Sequence, residues 1–375
     1  MSKKRLLMIV LMLGIGLVFA VLLFLIYEED RTPPTVAKTK VAFALLGTID
    51  DMGWTTAHYR GIEHLKKELG DQIEVSYTEK VLAANAEQVL RGYAKAGYDI
   101  IFATTFEHMD PTLIVARDFP NIVFEHCSGY KKNDKNMGNY FMRMYQGEYL
   151  AGYMAGLMGY KNVGTVATQP IPEPVRGINA FTIGLKKGLT EAGVAHDPKK
   201  VNTIVWLKSW RDATNETLLA ETLVGRGHDL IRQMADTPES AVAACRKGVP
   251  AIGYGVDVQN QAKCALVSSE WNWGVYYVDA VKRVMAGTWR PGEIWWGFEK
   301  QGIKLSPFNA SVPDKVRQKV LAEKAKLKKG MDRIFAGPLR DQMGKEIIPA
   351  GQKASDPDLL TMRWLVEGVS GKIPD

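Results

Sequence analysis

Short apolar runs alternate with helical stretches through most of this chain, and that alternation constrains the fold more than any other feature. Residues 40–47 (KVAFALLG) read as a buried strand that ends in a glycine loop. Helical spacing follows over 59–69 and stops at Gly70. IEVSYTEK (73–80), DIIFATT (99–105) and NIVFEHCSG (121–129) read as further strands, with helices over 87–96 and 111–118 between them. Strand and helix at this interval predict a parallel sheet with helices on both faces. A helical stretch rich in Gly and Ala follows, 147–158 (GEYLAGYMAGLM), whose small residues are expected to pack closely against the sheet. The alternation then restarts. Strands are expected at 162–168, 203–210, 228–236 and 250–257, and helices at 177–189, 214–226 and 239–247. Two such halves predict an α/β chain of two lobes with a cleft between them. The 375 residues suit that size. With 46% hydrophobic and 24% charged residues, the composition excludes a disordered or low-complexity chain.

Ahead of this body, residues 6–27 carry no charge and exceed the roughly 20 residues that a membrane span needs. Lys3, Lys4 and Arg5 precede the run, and Glu28, Glu29 and Asp30 follow it. The basic flank, residues 1–5, is expected in the cytoplasm and the body outside. The run is longer than a signal-peptide core, and neither an Ala-x-Ala site nor a cysteine follows it, so it reads as an uncleaved anchor first and a cleaved signal second. Residues 28–39, with Pro33 and Pro34, read as a linker. The net charge of +7 owes three units to the first five residues. The basic run at 322–329 reads as a solvated helix face, and no nucleic-acid partner is expected.

In open α/β sheets, ligands sit at the carboxyl ends of strands. The loops there are rich in aromatics and acids. GTIDDMGWT (47–55) offers Asp50, Asp51 and Trp54, and TTFEHMDP (104–111) offers Phe106, His108 and Asp110. The second half offers Trp210 in KSWRD, Asp236 in ADTPES, Asp257 in GVD, and Trp271 and Trp273 in SSEWNWG. Aromatic faces and carboxylates suit a flat heterocycle that donates N–H groups. The same residue types also fit an indole or a polyamine, and each could instead be a core tryptophan or a helix-capping aspartate. Motifs for serine hydrolases, P-loop nucleotide binding and zinc peptidases are absent. His126 and Cys127 are neighbours on a strand and point to opposite faces, so they do not read as a nucleophile pair. Neither an enzyme, a metal site nor a cofactor is expected. Cys127, Cys245 and Cys264 read as buried, inert thiols without a disulfide scaffold.

GTIDDMGWT, DIIFATTFEHMDP (99–111) and above all the tail GPLRDQMGKEIIPAGQKASDPDLLTMRWLVEGVSGKIP (337–374) resemble the basic membrane protein family. These are bacterial extracytoplasmic solute-binding proteins that feed ABC importers. The resemblance runs from about residue 40 to the end. WWGFEKQGIKLSPF (295–308) and the segment 268–273 are similar to an adenine-holding subgroup. The resemblance implies a type I periplasmic-binding fold with lobes at 40–159 with 274–304 and at 160–273 with 305–375. It implies a monomer, an ABC permease and ATPase as partners, and a purine clamped between Trp54 and Trp210. Asp257 matches an aspartate that holds a ribose hydroxyl in nucleoside-binding members. Their following lysine has no counterpart in SSEWNW, which points to a free base, adenine. The runner-up keeps the fold and makes the chain a membrane-anchored purine or nucleoside sensor that signals to a membrane partner. A nucleoside hydrolase would need a further acid beside Asp50 and Asp51, and that loop has none.

Overall fold

A computed structural model describes residues 2–29 and 37–374, and the chain divides into two units, 1–38 and 39–375. In the first unit, helix α1 (Lys3–Glu29) joins the basic flank and the apolar run into one element. It is long and apolar enough to cross a membrane. Most of the expected 28–39 linker lies outside the described residues.

The second unit opens with β1 (Thr39–Ala44), α2 (Trp54–Leu69), β2 (Ile73–Thr78), α3 (Ala83–Lys95), β3 (Ile100–Ala103), α4 (Met109–Asp118), β4 (Val123–Cys127) and β5 (Met137–Met142). It continues through α5 (Tyr145–Leu157), β6 (Val163–Ala167), α6 (Pro172–Glu191), β7 (Lys200–Trp206), α7 (Ala213–Gly225), β8 (Leu230–Gln233), α8 (Glu239–Arg246), β9 (Ala251–Gly255) and β10 (Ala265–Trp271). Last come α9 (Trp273–Met285), β11 (Glu293–Trp296), β12 (Ile303–Leu305), α10 (Asp314–Lys328), β13 (Leu339–Arg340), β14 (Glu346–Ile348), α11 (Asp356–Leu360) and β15 (Gly368–Ser370).

Two sheets carry the body. The first runs β11-β5-β4-β3-β1-β2 and is parallel throughout. The second runs β12-β10-β9-β8-β6-β7-β15 and is parallel except where β12 meets β10. The two-residue period of a strand explains the double-sided burial. Val41, Phe43, Ile100 and Phe102 face one apolar cluster, and Ala42, Ala44, Ile101 and Ala103 face another. Each sheet with its flanking helices is one lobe.

The chain crosses between the sheets three times: after β5, at Asn272, and between β11 and β12. These crossings correct the expected limits. Helix α5 packs along α6, so the limit at 159 put it in the wrong lobe. Strand β12 pairs with β10, so the limit at 304 did the same. The small residues of α5 also serve a second neighbour besides the expected sheet. A Cβ on Gly152 would stand 2.0 Å from the Phe181 carbonyl oxygen, and one on Gly184 would stand 2.1 Å from that of Tyr149. These glycines bring two helices together, while Gly147 packs on the sheet as expected, where a Cβ would stand 3.0 Å from the Ser269 side chain of β10.

Cys245 and Cys264 form a disulfide, against expectation. The parallel register of Ala251 with Ala265 sets the chain ahead of β9 beside the chain ahead of β10. That brings the two Cα atoms within 5.4 Å, although the cysteines are 19 residues apart in sequence. Cys127 is buried and free, and burial pushes its thiol up.

Candidate functional site

The loops at the carboxyl ends of both sheets meet along one seam. The first of them is shaped by Asp51, whose carboxylate accepts the backbone N–H groups of Gly53 (2.9 Å), Thr55 (3.0 Å) and Thr56 (2.9 Å). Asp51 therefore caps α2, which was the alternative reading for an aspartate in this place. The cap sets Trp54 as the first residue of the helix, half-buried, with its indole N–H donated to the Thr104 carbonyl at 2.7 Å.

Trp54 belongs to an aromatic cluster that joins the lobes. Its ring meets Trp271 of β10 and Trp273 of α9 edge-on, each at 5.5 Å, and His58 at 4.8 Å. Trp271 and Trp273 stack on one another at 4.9 Å and are 4% and 0% exposed. Phe141 and Tyr254 border Trp271. His58 stacks on Trp273 at 4.7 Å and meets the Tyr277 hydroxyl at 2.5 Å. Burial lowers its pKa well below the usual value, which keeps the ring neutral. The Trp271 indole nitrogen is buried without a hydrogen-bond partner.

Direct contacts close the seam. A Cβ on Gly53 would lie 2.0 Å from the Asp236 carbonyl oxygen, so only glycine allows the two loops this approach. Arg60 of α2 reaches Glu270 of β10 at 3.6 Å, and Lys304 reaches the same carboxylate at 3.6 Å. Asp236 donates its backbone N–H to the Trp210 carbonyl at 2.9 Å. Its half-buried carboxyl accepts no hydrogen bond from the described residues. Burial, and then repulsion from Asp51, Glu173 and Glu216, pushes its pKa well above the carboxylate range, while Arg211 opposes. Glu173, at the start of α6, accepts the Tyr254 hydroxyl at 3.1 Å, and its own pKa is raised by burial.

The remaining expected residues are placed less centrally. Trp210 is half-buried, and its ring meets no other aromatic among the described residues. One Asp257 oxygen accepts the Gln259 N–H at 3.0 Å. Phe106 is exposed, with its ring 6.4 Å from that of Tyr130. Asp110 is exposed and paired with Lys131 at 2.5 Å. The seam thus unites Trp54, Trp271, Asp51 and Asp236, and the contacts of Phe106 and Asp110 lie elsewhere. Glu173, Tyr254 and Phe141 went unread in the sequence. Glu173 was findable, as an acid in the first turn after a strand's carboxyl end. Phe141 sits on a strand that the alternation did not reveal. Among the described residues no cluster of His, Cys, Asp and Glu could hold a metal ion.

Residues 38–333 match the model of a family described as ABC transporter substrate-binding protein, PnrA-like. A purine-binding protein of Brucella abortus is 37% identical over 340 residues, spanning 90% of this chain and 94% of that protein. A putative ABC transporter glucose-binding protein of Haloferax volcanii is 31% identical over 348 residues, 92% of this chain and 84% of that one. Among solved structures, an ABC transporter solute-binding protein from Conexibacter woesei superposes with a TM-score of 0.64 at 23% identity. That match covers 79% of this chain and 98% of the other.

Proposed function

The chain belongs to the PnrA-like family of ABC transporter substrate-binding proteins, and from that premise we propose that it captures a purine base, adenine, between its lobes. Family membership supplies the coarser facts: a solute-binding protein acting outside the cytoplasm, with a small-molecule ligand and a permease and ATPase as partners. The finer reading rests on one observation above the rest. The Asp236 carboxyl stands at the seam with no hydrogen-bond partner among the described residues, beside a backbone contact that only a closed cleft makes. A half-buried acceptor of this kind is costly until a ligand N–H meets it.

Adenine offers such donors at its exocyclic amino group and ring N–H. It also offers ring-nitrogen acceptors for the unpartnered Trp271 indole N–H. Trp54 and Trp210 would supply the flanking rings, with stacking worth roughly 0.5–1.5 kcal/mol per aromatic pair beyond burial. The free base is favoured over its nucleoside by what occupies the place of the family's ribose-holding lysine. There Glu270 is taken up by Arg60 and Lys304, and Trp271 and Trp273 fill the space between the lobes. A larger ligand would clash where the base alone fits. The name of the Brucella relative supports a purine.

The chain would remain at the outer face of the cytoplasmic membrane through α1 and act as a monomer. Native mass spectrometry of the purified protein tests the ligand class. A co-purifying purine base is expected, and a hexose in its place would move this chain to the sugar reading that its Haloferax relative carries.

A further inference from the structure

The carboxy-terminal segment, nearly all of it beyond the family match, contains an ionic contact that the binding reading does not use. Residues 332–370 run along the second lobe. Strand β15 extends its sheet beside β7, and the Asn179 side chain donates to the Trp364 carbonyl at 2.7 Å and accepts the Val366 N–H at 2.8 Å. From this base the segment reaches the first crossing between the lobes. Asp356, opening α11, accepts two hydrogen bonds from the Arg143 guanidinium, at 2.8 and 2.5 Å. Asp332 accepts the Tyr145 hydroxyl at 2.7 Å and the Gln146 amide at 2.8 Å. Arg143 lies in the crossing itself, between β5 and α5, and Tyr145 and Gln146 open α5 directly after it.

The third crossing is gripped through the same residues. Arg143 donates its Nε–H to the Trp295 carbonyl at 3.0 Å, and its guanidinium lies 4.1 Å from the centre of the Trp295 ring. A second guanidinium, that of Arg176 in α6, lies 4.9 Å from the same ring and is held by the Leu359 carbonyl of α11 at 2.7 Å. Trp295 sits on β11, the edge strand of the first lobe. Two residues of one short helix therefore fix both cations that meet a first-lobe tryptophan.

We propose that residues 332–370 form a hinge strap. It is rooted in the second lobe and clasps Arg143 and Trp295 where the chain crosses, and so biases the lobes toward closure. Asp356 and Leu359 belong to the second lobe and Trp295 to the first, so an opening that drew β11 away from α11 would part the guanidiniums from the ring or from α11. The strap acts whatever the ligand is, so its test needs none.

Full-length protein in detergent is labelled with nitroxides at Leu82→Cys in the first lobe and Leu218→Cys in the second. Both sites are exposed, and native Cys127 is buried. Electron–electron distance measurements on the ligand-free protein then report the ratio of open to closed forms. Asp356→Asn and Arg143→Gln should each raise that ratio about two- to fivefold, the range expected of a partly exposed ion pair. The double variant should go no further than either single one, and Asp356→Glu should restore closure. A ratio unchanged in both single variants would overturn the strap, and so would additive shifts. A loss of melting temperature without any change in the distances would reduce the segment to a structural brace and also overturn it.

Discussion

Asp236 carries the chemistry of the proposed site, and its neighbours decide its behaviour. Asp51, Glu173 and Glu216 surround it with like charge. Asp236→Asn keeps the shape but removes a carboxyl that can give up its proton to accept a ligand N–H, so adenine affinity should fall by about 1–3 kcal/mol with the fold intact. Calorimetry on the variant checks this, and full affinity would move the readout to Asp257 or Glu173. A second buried acid governs stability instead. Glu125 of β4 is fully enclosed and accepts the Trp289 indole N–H at 2.7 Å, yet burial pushes its pKa up to about 7. A carboxyl raised in the folded state binds more protons there than in the unfolded chain. Its contribution is therefore fullest at low pH and declines as pH rises from about 4.5 to about 7. Glu125→Gln should flatten that part of the curve of denaturation midpoint against pH, and an unaltered slope would assign it to other groups. At this scale the sequence was half legible. Acids and tryptophans at strand ends were visible, and Trp54, Trp271, Asp51 and Asp236 gather at the seam. Asp51 capping α2 could not be told from Asp51 binding ligand, because both need the same residue at the same place. Asp110 was drawn to Lys131, 21 residues away, by a contact that no local pattern announces.

Among the elements, most strands and helices up to residue 257 were readable because apolar alternation and glycine stops mark them. Strands β5 and β10 were not, since MGNYFM and ALVSSEW mix polar residues into fully buried or nearly buried positions. Ser268 shows how such a strand is tolerated: its backbone N–H meets the Ser306 hydroxyl at 2.8 Å. The disulfide escaped for a related reason, since β9–β10 pairing rather than spacing brings its cysteines together. Replacing both Cys245 and Cys264 by Ser should cost about 3 kcal/mol for a loop of this length, read by chemical denaturation. The α5–α6 contact is less forgiving of bulk. Gly184→Ala would drive a methyl group into the Tyr149 backbone, costing about 1–3 kcal/mol or more, with the same readout. Helix α1 makes a prediction of its own kind. Its length and apolarity suit a span, so the protein should fractionate with membranes. Recovery of a soluble form beginning near residue 30 would show a cleaved signal instead.

At the scale of the molecule, three crossings, a seam closed by Gly53 on Asp236, and an aromatic cluster shared by both lobes describe a binding protein in its closed form. The chain's two-lobed plan was legible because each half repeats the same alternation. Where the chain changes lobes was not, because α5 and β12 differ from their neighbours only in what they pack on. In the proposed reading, closure on a base would tie these features to function: Gly53, beside Trp54, and Asp236 come from different lobes and meet across the seam. Calorimetric titration of the full-length protein with adenine, adenosine, guanine, guanosine and glucose tests this most directly. Adenine is predicted to bind at least about tenfold more tightly than adenosine, a difference of about 1.4 kcal/mol. Equal affinities, a preference for the nucleoside, or binding of glucose alone would contradict it.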